Sequence, residues 1–172
     1  MLKLKHTMAL DGKRPNRLWR LFFRIPLYLY NLRILGWERI IGAQFIKITT
    51  KGRRTGKSHS VLVDVLEHDL EKDVYYVSSA YGAGADWVKN IKVNPVFNVQ
   101  IGRRRFKAKS EQVSGQNGSK LLFRYIDEHR DYMKGLYKMM GIDLDVLSTE
   151  ELMEVLTKEM VLAITPSMKR EK

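Results

Sequence analysis

The segment GRRTGKS, residues 52–58, is the part of the sequence whose residue types and spacing are best suited to chemistry. Two glycines, Gly52 and Gly56, allow the backbone to turn tightly. Three cations and two hydroxyls stand between and beside them, a combination that binds a phosphate or a polycarboxylate. They are Arg53, Arg54, Lys57, Thr55 and Ser58. The segment predicts an anion-binding turn, and a solvated hairpin turn is the alternative that these residues leave open.

The same segment does not match the phosphate-binding loop of P-loop nucleotide hydrolases. That loop needs four residues between its glycines and must open a helix. Here three residues separate the glycines, and residues 59–66 alternate between polar and apolar types as a strand does. Nucleotide hydrolysis of the P-loop kind is therefore excluded.

A second segment, SSAYGAGADWVKN at 78–90, runs from a strand through small residues into a short helix. Small residues let a planar ring or a phosphate approach the backbone, and the first N–H groups of the helix suit an anion or a ring oxygen. Trp87 and Asn90 are three apart and share a helix face. Taken alone, the segment favours a structural interpretation, in which Asp86 caps the helix and Trp87 fills the core.

Nucleophilic and acid–base machinery is missing from the sequence. There is no G-x-S-x-G motif and no evident Ser/His/Asp set. His59, in the basic turn, suits a tail contact or a surface position as well as a general base. The carboxylate pairs at 143/145 and 150/151 fit solvated helix ends. Such a chain can still be an enzyme if a bound cofactor carries the chemistry, and no catalytic residue is assigned.

Cysteine is absent, which excludes disulfides, thiolate metal sites and a cysteine nucleophile and favours a cytoplasmic location. The four histidines are far apart in the sequence, so we expect no metal site. The net charge of +12 is confined to residues 1–60, whereas residues 61–172 are neutral. This asymmetry predicts an anionic partner: a phosphate, a nucleic acid or an acidic membrane. No helix-turn-helix, zinc module or RNA-binding motif is present, so we expect no nucleic-acid partner.

Six segments carry strand patterns, and three segments carry helix patterns in addition to an N-terminal helical segment at 16–35. The strands are predicted at 44–50, 59–68, 73–79, 95–102, 104–113 and 160–165. The helices are predicted at 85–94, at 117–133 and from Ser148, which forms a Ser-x-x-Glu capping box with Glu151. Short links between strands indicate mostly antiparallel pairing. The order of elements predicts an α+β fold with a six-stranded, mostly antiparallel β-barrel and flanking helices.

The chain is predicted to form a single domain, 1–172. Its parts are a loose N-terminal tail at 1–15, a basic amphipathic helical segment at 16–35, a barrel core with the ligand site at 44–113, and the C-terminal helices with the last strand at 114–172. Segment 16–35 is aromatic and carries arginines at helical spacing. It has two interpretations: peripheral contact with the inner face of a membrane, or packing against the barrel.

Three separated motifs resemble the deazaflavin (F420)-dependent nitroreductase and quinone reductase family, in the FMN-binding split-barrel superfamily. The motifs are TTKGRRTGK (49–57), YVSSAYGAGADWVKNIKVNP (76–95) and VQIGRRRF (99–106), and their order and separation also match. The resemblance covers about residues 16–113. It implies a split β-barrel that binds reduced coenzyme F420 and transfers a hydride from the deazaflavin ring to a quinone, enone or nitro acceptor.

The resemblance also implies which residues bind the cofactor. The basic turn and its flanks would hold the phosphate and glutamate tail, which falls on Thr49, Thr50, Arg53, Arg54, Thr55, Gly56, Lys57, Ser58 and His59. The strand end and short helix would flank the ring, which falls on Ser79, Ala80, Tyr81, Gly82, Trp87 and Asn90. Val63 and Val65 would line the pocket floor, and Tyr132 and Tyr137 are candidates for the acceptor site. Many relatives have arginine where His59 stands.

Two alternatives keep the fold and change the function. In the first, the cofactor is FMN or haem, since related split barrels use both and a basic turn suits the FMN phosphate. In the second, the chain carries a cofactor or a lipid at the membrane surface without catalysis. A homodimer is a further expectation by analogy with split barrels.

Overall fold

The computed structural model describes residues 44–79, 81–139 and 141–167, and they form a β-barrel with a layer of helices. The strands are β1 (Phe45–Lys51), β2 (Ser58–Asp69), β3 (Val74–Ser79), β4 (Phe97–Ile101), β5 (Arg104–Gln112) and β6 (Met160–Pro166). The helices are α1 (Asp86–Val93), α2 (Gly115–Glu128), α3 (Arg130–Met139) and α4 (Thr149–Thr157), and a 3₁₀ turn spans Gly82–Gly84.

The six strands close into a barrel in the order β1-β2-β3-β6-β5-β4. Every neighbouring pair is antiparallel, which short connections such as the Gly102 turn permit. Closure leaves no unpaired strand edge. The predicted α+β fold with a six-stranded antiparallel barrel is confirmed, and the pairing is antiparallel throughout.

The barrel interior is filled by every second residue of its strands, as the two-residue side-chain period of a strand requires. The fully buried members of this core are aliphatic, and each contributes roughly 1.5–3 kcal/mol by leaving water. They include Ile46, Ile48, Val77, Val99 and Ile164. Helix α1 closes one end of the barrel, because its apolar face inserts Trp87, Val88 and Ile91 into the same core.

A second core lies outside the barrel, between the helices and the outer faces of β1, β2 and β6. Leu122, Ile126, Val155 and Leu156 of the helices are buried there, together with Phe45 and Val161 of the strands. Gly118 brings α2 close to β6, since a Cβ at this position would lie 3.1 Å from Val161 Cγ2. A larger residue at position 118 would push the helix away from the sheet.

The C-terminal half contains one correction to the predicted elements. The expected single helix at 117–133 is two helices, α2 and α3, separated at His129 with φ −122° and ψ 39°. The His129 ring stacks on Tyr125 with centroids 4.3 Å apart. No proline or glycine marks this break, so the sequence pattern runs through it. By contrast, the Ser148–Glu151 capping box is present, with Glu151 N–H donating to Ser148 Oγ at 3.2 Å.

The segments at 1–15 and 16–35 lie outside the described residues, so the proposed division of the chain and the role of 16–35 stay predictions. Among the helices of the described ranges, none is long and apolar enough to cross a membrane.

Candidate functional site

The basic turn between β1 and β2 is held in one shape by its own backbone. Gly52 N–H donates to the Lys57 carbonyl and Gly56 N–H donates to the Gly52 carbonyl, both at 2.8 Å. Gly56 has φ +69°, a left-handed conformation that glycine adopts without strain. A Cβ on Gly52 would lie 2.9 Å from the His59 ring, so only glycine fits against that ring. The two glycines therefore fix where the side chains of the turn project.

Arg53 joins the turn to helix α1. Its Nη1 donates to Asn90 Oδ1 at 3.0 Å, and its Nη2 forms an ion pair with Asp86 Oδ1 at 3.0 Å. The sequence predicted Arg53 as a ligand for an anionic tail, but the structure places its guanidinium against α1. Asp86 does not cap the helix: the N-cap is Ala85, without a side-chain cap bond. Its carboxylate instead lies in the first turn and pairs with Arg53.

Asn90 is the buried centre of this connection. Its side-chain oxygen accepts from the Arg53 backbone N–H at 3.2 Å, and its Nδ2 donates to Thr50 Oγ1 at 3.1 Å. Thr50 Oγ1 donates in turn to the His59 carbonyl at 3.5 Å. Thr50 and Asn90 are 2% and 3% exposed. Both were predicted cofactor contacts, and the structure makes them supports that position the turn.

Arg54 and Lys57 have a different environment from Arg53. Both are exposed, and neither side chain forms an ion pair or hydrogen bond with a residue of the described ranges, although the Lys57 backbone N–H donates to Thr55 Oγ1 at 3.4 Å. Thr55 and Ser58 are exposed beside them. The turn thus presents two uncompensated cations and two hydroxyls on a fixed backbone. This arrangement suits a phosphate, because the backbone that carries the two cations is already held by its own hydrogen bonds.

The loop after β3 lies at the same end of the barrel as this turn and continues into α1. Ser79 is buried and its hydroxyl donates to the Gly82 carbonyl at 3.0 Å. Gly82 has φ +51°, and no atom lies within 4 Å of the position a Cβ would take. Tyr81 is half-buried, and burial raises the pKa of its phenol. Ala80 lies outside the described residues. The open space at Gly82 leaves room for a planar group beside the backbone.

Trp87 does not line this space. It is 8% exposed and belongs to the barrel core with Val88 and Ile91. Trp87 is therefore a core residue, in agreement with the structural interpretation of its segment. Its aromatic ring stabilises the fold at the end of the barrel that carries the basic turn.

The predicted pocket floor lies on the inward face of β2. Val65 is buried in the barrel core, and Val63 packs against that core half-buried. The neighbouring residues Ser60, Leu62 and Asp64 face outward, because successive strand residues alternate. The Ser60 hydroxyl shares a 2.8 Å hydrogen bond with that of Thr49. The alternation in 59–66 predicts two faces, and the closed barrel decides which of them is turned outward.

Asp64 and Tyr132 form a polar pair between β2 and α3. Tyr132 Oη donates to Asp64 Oδ1 at 3.0 Å. Burial raises the pKa of Asp64 from 3.8 to about 6, although the Tyr132 hydrogen bond acts in the opposite direction. The Tyr125 hydroxyl is buried, and no atom in the described part of the chain is bonded to it. The carboxyl of Asp64 can therefore gain or lose a proton near neutral pH.

Tyr137, the second acceptor-site candidate, lies elsewhere. It is 1% exposed, and its hydroxyl donates to Glu159 Oε1 at 2.5 Å. Ser78 donates to the other oxygen of the same carboxylate at 2.9 Å. Tyr137 thus links α3 to the start of β6 inside the helical core. Of the two candidate tyrosines, only Tyr132 lies against the outer face of β2.

No group of three or more potential ligands that could hold a metal ion occurs in the ranges that the structure describes. The site as a whole combines exposed cations on a rigid turn, open space beside a glycine loop, and the outer face of β2. These features fit a ligand with a flat ring and an anionic tail, which is the shape of a flavin-like cofactor.

A sequence model of the family described as F420H(2)-dependent quinone reductase matches residues 36–146. The matched range contains the basic turn, the glycine loop, α1 and most of the barrel. No curated protein sequence is significantly similar to the chain.

Three solved structures are similar to the chain at low identity. An F420-H2 dependent reductase (FDR-A) aligns over 70% of this chain and 93% of its own, with 18% identity and a TM-score of 0.45. A structure described as a domain-swapped dimer aligns over 70% and 79%, with 18% identity and a TM-score of 0.45. A protein related to general stress protein 26, of the pyridoxinephosphate oxidase family from Clostridium acetobutylicum, aligns over 81% and 84%, with 12% identity and a TM-score of 0.47.

Proposed function

The chain belongs to the F420H(2)-dependent quinone reductase family, and it is accordingly an oxidoreductase whose cofactor is coenzyme F420. From this premise we propose that it reduces a quinone, enone or nitro compound, and that the cofactor binds with its phosphate at the basic turn and its ring beside the glycine loop. When bound, the reduced deazaflavin supplies the hydride. All other requirements fall to the protein: holding the cofactor, placing the acceptor and managing a proton.

Arg54 and Lys57 would hold the phosphate. The observation that carries the proposal is their contrast with Arg53: three cations share one short turn, and the two that lack a described partner are exposed. A cation without a partner binds an anion more strongly than a cation that must first give up its ion pair with a carboxylate. The Thr55 and Ser58 hydroxyls would supply further hydrogen bonds.

Arg53 and Asn90 would act indirectly, by joining the turn to α1. Asn90 contacts the turn through Arg53 and the end of β1 through Thr50. A phosphate site held in this way keeps a constant distance from the glycine loop, because that loop runs directly into α1. Constant separation of tail and ring sites is what orients a cofactor ring for hydride transfer.

The acceptor would approach β2 at its Ser58–Ser60 end, beyond the part of its outer face that the second core covers. A quinone that accepts a hydride also takes up a proton. The Asp64 carboxyl, with a pKa raised by burial to about 6, can hold a proton at its oxygens near neutral pH. Tyr132 would keep that carboxyl oriented through its 3.0 Å hydrogen bond.

A long-chain quinone acceptor would bring the protein to a membrane, since such quinones reside in bilayers. The basic segment 16–35 is the hypothesised contact. Co-sedimentation of the protein with vesicles containing anionic lipid, at low and at high salt, tests this. Binding that high salt reverses would support a peripheral contact, and absence of binding at low salt would contradict it.

The proposed function is tested first by fluorescence titration of the protein with F420 and, in parallel, with FMN. We expect saturable binding of F420 and much weaker binding of FMN. Rapid mixing of the protein–F420H2 complex with a soluble quinone should then show oxidation of the cofactor. Binding of FMN in preference to F420 would contradict the assigned cofactor role, and F420 binding without oxidation of F420H2 by a quinone, an enone or a nitro compound would contradict the assigned acceptor class.

A further inference from the structure

Glu159 is a half-buried carboxylate that the proposed mechanism does not use, at the junction between α4 and β6. Tyr137 Oη of α3 donates to its Oε1 at 2.5 Å, and Ser78 Oγ of β3 donates to its Oε2 at 2.9 Å. In the ranges that the structure describes, no cation forms an ion pair with it, and the adjacent Lys158 pairs with Glu154 instead. The carboxylate thus joins a hydroxyl of the helical layer to a hydroxyl of the barrel.

Ser78 is the last residue but one of β3, and the glycine loop, residues 80–85, follows this strand. The register pairs Ser78 with Val161 and Ser79 with Met160, so Glu159 lies just beyond the last pair of the β3–β6 ladder. The bond from Ser78 to Glu159 therefore fastens β3 at the point where it leaves the barrel. The end of a strand opens more easily than its middle, so an additional bond has the most effect there.

The glycine loop is connected to this strand end by a second serine. Ser79 is 2% exposed, and its hydroxyl donates to the Gly82 carbonyl at 3.0 Å. The same carbonyl accepts from the Ala85 N–H at 3.3 Å, and the Gly84 N–H donates to the Tyr81 carbonyl at 3.0 Å. Because the first of these bonds starts from the last residue of β3, the shape of the loop depends on the position of the strand end.

We propose that Glu159 is a positioning residue, which holds the glycine loop in place for the cofactor ring by fixing Ser78 and the end of β3. The inference rests on the proposed function, which puts the ring beside this loop, and it adds a residue outside the predicted site. No contact between the carboxylate and the ring is required, because the effect passes through Ser78. A loop that already has its binding shape loses less conformational freedom when the ring binds, so fixing the loop raises affinity.

The first experiment measures amide hydrogen exchange of Gly84 and Ala85 by NMR in the ligand-free, full-length protein. Ser78→Ala removes the hydrogen bond to Glu159 and leaves the backbone ladder in place. The two loop amides should exchange roughly 2- to 12-fold faster in this variant, which is the factor that corresponds to the loss of one hydrogen bond.

Ser119→Ala is the matched control. Ser119 is buried in α2, and its hydroxyl also makes one hydrogen bond, to the Gln116 carbonyl at 3.0 Å. The control therefore loses the same chemical group and one hydrogen bond, away from the glycine loop. It should leave the exchange of the two loop amides at the rates of the unmodified protein.

Two changes of the carboxylate complete the series. Glu159→Gln keeps an oxygen that accepts from one hydroxyl and offers an N–H to the other, so the loop amides should exchange as in the unmodified protein. Glu159→Ala removes both bonds and should accelerate exchange at least as much as Ser78→Ala does. If Glu159→Ala does not fold, the comparison of Ser78→Ala with Ser119→Ala decides the question.

Fluorescence titration then separates the ring site from the phosphate site. The deazaflavin riboside lacks the phosphate and the tail of F420, so it tests the ring site alone. Ser78→Ala should weaken the binding of the riboside and of F420 by the same factor, up to roughly 12-fold, because the fraction of protein with a correctly placed loop falls. Ser119→Ala and Glu159→Gln should bind both ligands as the unmodified protein does.

The proposal is overturned if Ser78→Ala and Ser119→Ala change the exchange of the loop amides alike. It is also overturned if exchange in the loop accelerates while the affinity for the riboside stays the same. If the unmodified protein binds neither F420 nor the riboside, the proposed function fails, and the exchange series alone decides whether Glu159 fixes the loop.

Discussion

The two ends of the barrel use their arginines in opposite ways. At the end away from α1, Arg104 Nη1 donates to Asp73 Oδ1 at 2.7 Å and to Tyr75 Oη at 3.0 Å. The guanidinium also lies 4.7 Å from the centroid of the Phe106 ring. At the end that α1 closes, Arg54 and Lys57 project from the turn without a partner among the described residues. Arg104 is thus bound to residues of the protein, whereas Arg54 and Lys57 are exposed.

The far end is a closed network. His68 stacks on Tyr75 with centroids 3.8 Å apart, and its Nε2 lies 3.4 Å from Asp73 Oδ1. Arg104, with its hydrogen bonds to the carboxylate, lowers the pKa of Asp73. Asp73 is the one non-glycine residue of the described ranges with positive φ, at 53°. The paired charges of Asp73 and Arg104 indicate that these two residues stabilise the turns at this end of the barrel.

The comparison shows that a basic cluster is informative only once its partners are known. Arg53 makes the point within a single turn, since it is adjacent to Arg54 but bound to Asp86 and Asn90. Its role resembles that of Arg104, although it lies at the ligand-binding end. Of two consecutive residues, Arg53 thus supports the turn and Arg54 is proposed to bind the ligand. Four substitutions test this contrast between supporting and ligand-binding residues.

Asn90→Ala should have the largest effect. The change removes three side-chain hydrogen bonds and leaves Thr50 and the Arg53 backbone without their buried partner, at a cost of about 2–4 kcal/mol in the free energy of unfolding. Because the turn loses its connection to α1, F420 affinity should fall as well. Chemical denaturation and F420 titration measure the two effects. Reduced stability with normal F420 affinity would show that the connection does not position the phosphate site.

Arg54→Ala/Lys57→Ala should separate binding from stability. The exposed cations support no described contact, so the melting temperature should stay within 1–2 °C, roughly, of the unmodified protein. F420 affinity should fall by about 2–3 kcal/mol if each cation makes a charged hydrogen bond. Lys120→Ala/Lys138→Ala is the charge-matched control. Unchanged F420 affinity in the turn variant would remove the assignment of these residues to the phosphate.

Asp64→Asn tests the titration of the Asp64 carboxyl, which lies in the middle of β2 between the two ends of the barrel. The folded state holds a proton on Asp64 that the unfolded state loses, because burial raises the pKa from 3.8 to about 6. The free energy of unfolding therefore falls as pH rises across this window. Asparagine does not titrate, so the variant does not lose this stability as pH rises. Its melting temperature should be above that of the unmodified protein at pH 7 and equal to it at pH 4. A difference that is the same at both pH values would show that Asp64 does not titrate in this range.

Arg104→Ala should have the smallest effect and should leave F420 binding unchanged. The pair with Asp73 is partly exposed, so its loss should cost about 1 kcal/mol in the free energy of unfolding. Arg104 lowers the pKa of Asp73 in the folded state. The stabilisation by the Arg104–Asp73 pair is thus present above pH 3.8 and disappears as pH falls through the lowered pKa of Asp73. Melting curves of both proteins at pH 7 and pH 2.5 test this, and an altered F420 affinity would contradict the independence of the two ends.

The elements themselves were largely predictable. All six strands and α1 occur within two residues of their expected bounds, because alternation, glycine turns and Pro95 act over a few residues. The break between α2 and α3 was missed, since it depends on the stacking of His129 against Tyr125 and the packing of α3 on the second core. Such packing leaves no local mark in the sequence.

The candidate site divides in the same way. The sequence identified the turn, the glycine loop and α1 as neighbours through their resemblance to a family, and the structure brings Thr50, Arg53 and Asn90 together. The sequence interpretation also puts Val63 and Val65 on the ligand side of β2, although both face the barrel core. Which half of an alternating strand faces outward is set by the curvature of the closed barrel, which the pattern of a single strand does not contain.

The sequence by itself determined the type of fold, the position of the basic turn and the family, because these depend on residue types at short spacing. The tertiary structure decided which residues of the turn remain available to a ligand. Arg53 and Arg54 are adjacent and chemically identical, and only the approach of Asp86 and Asn90, more than thirty residues away, distinguishes them. Electrostatic partners are chosen by distance in space, so the role of a charged side chain is fixed only when the chain has folded.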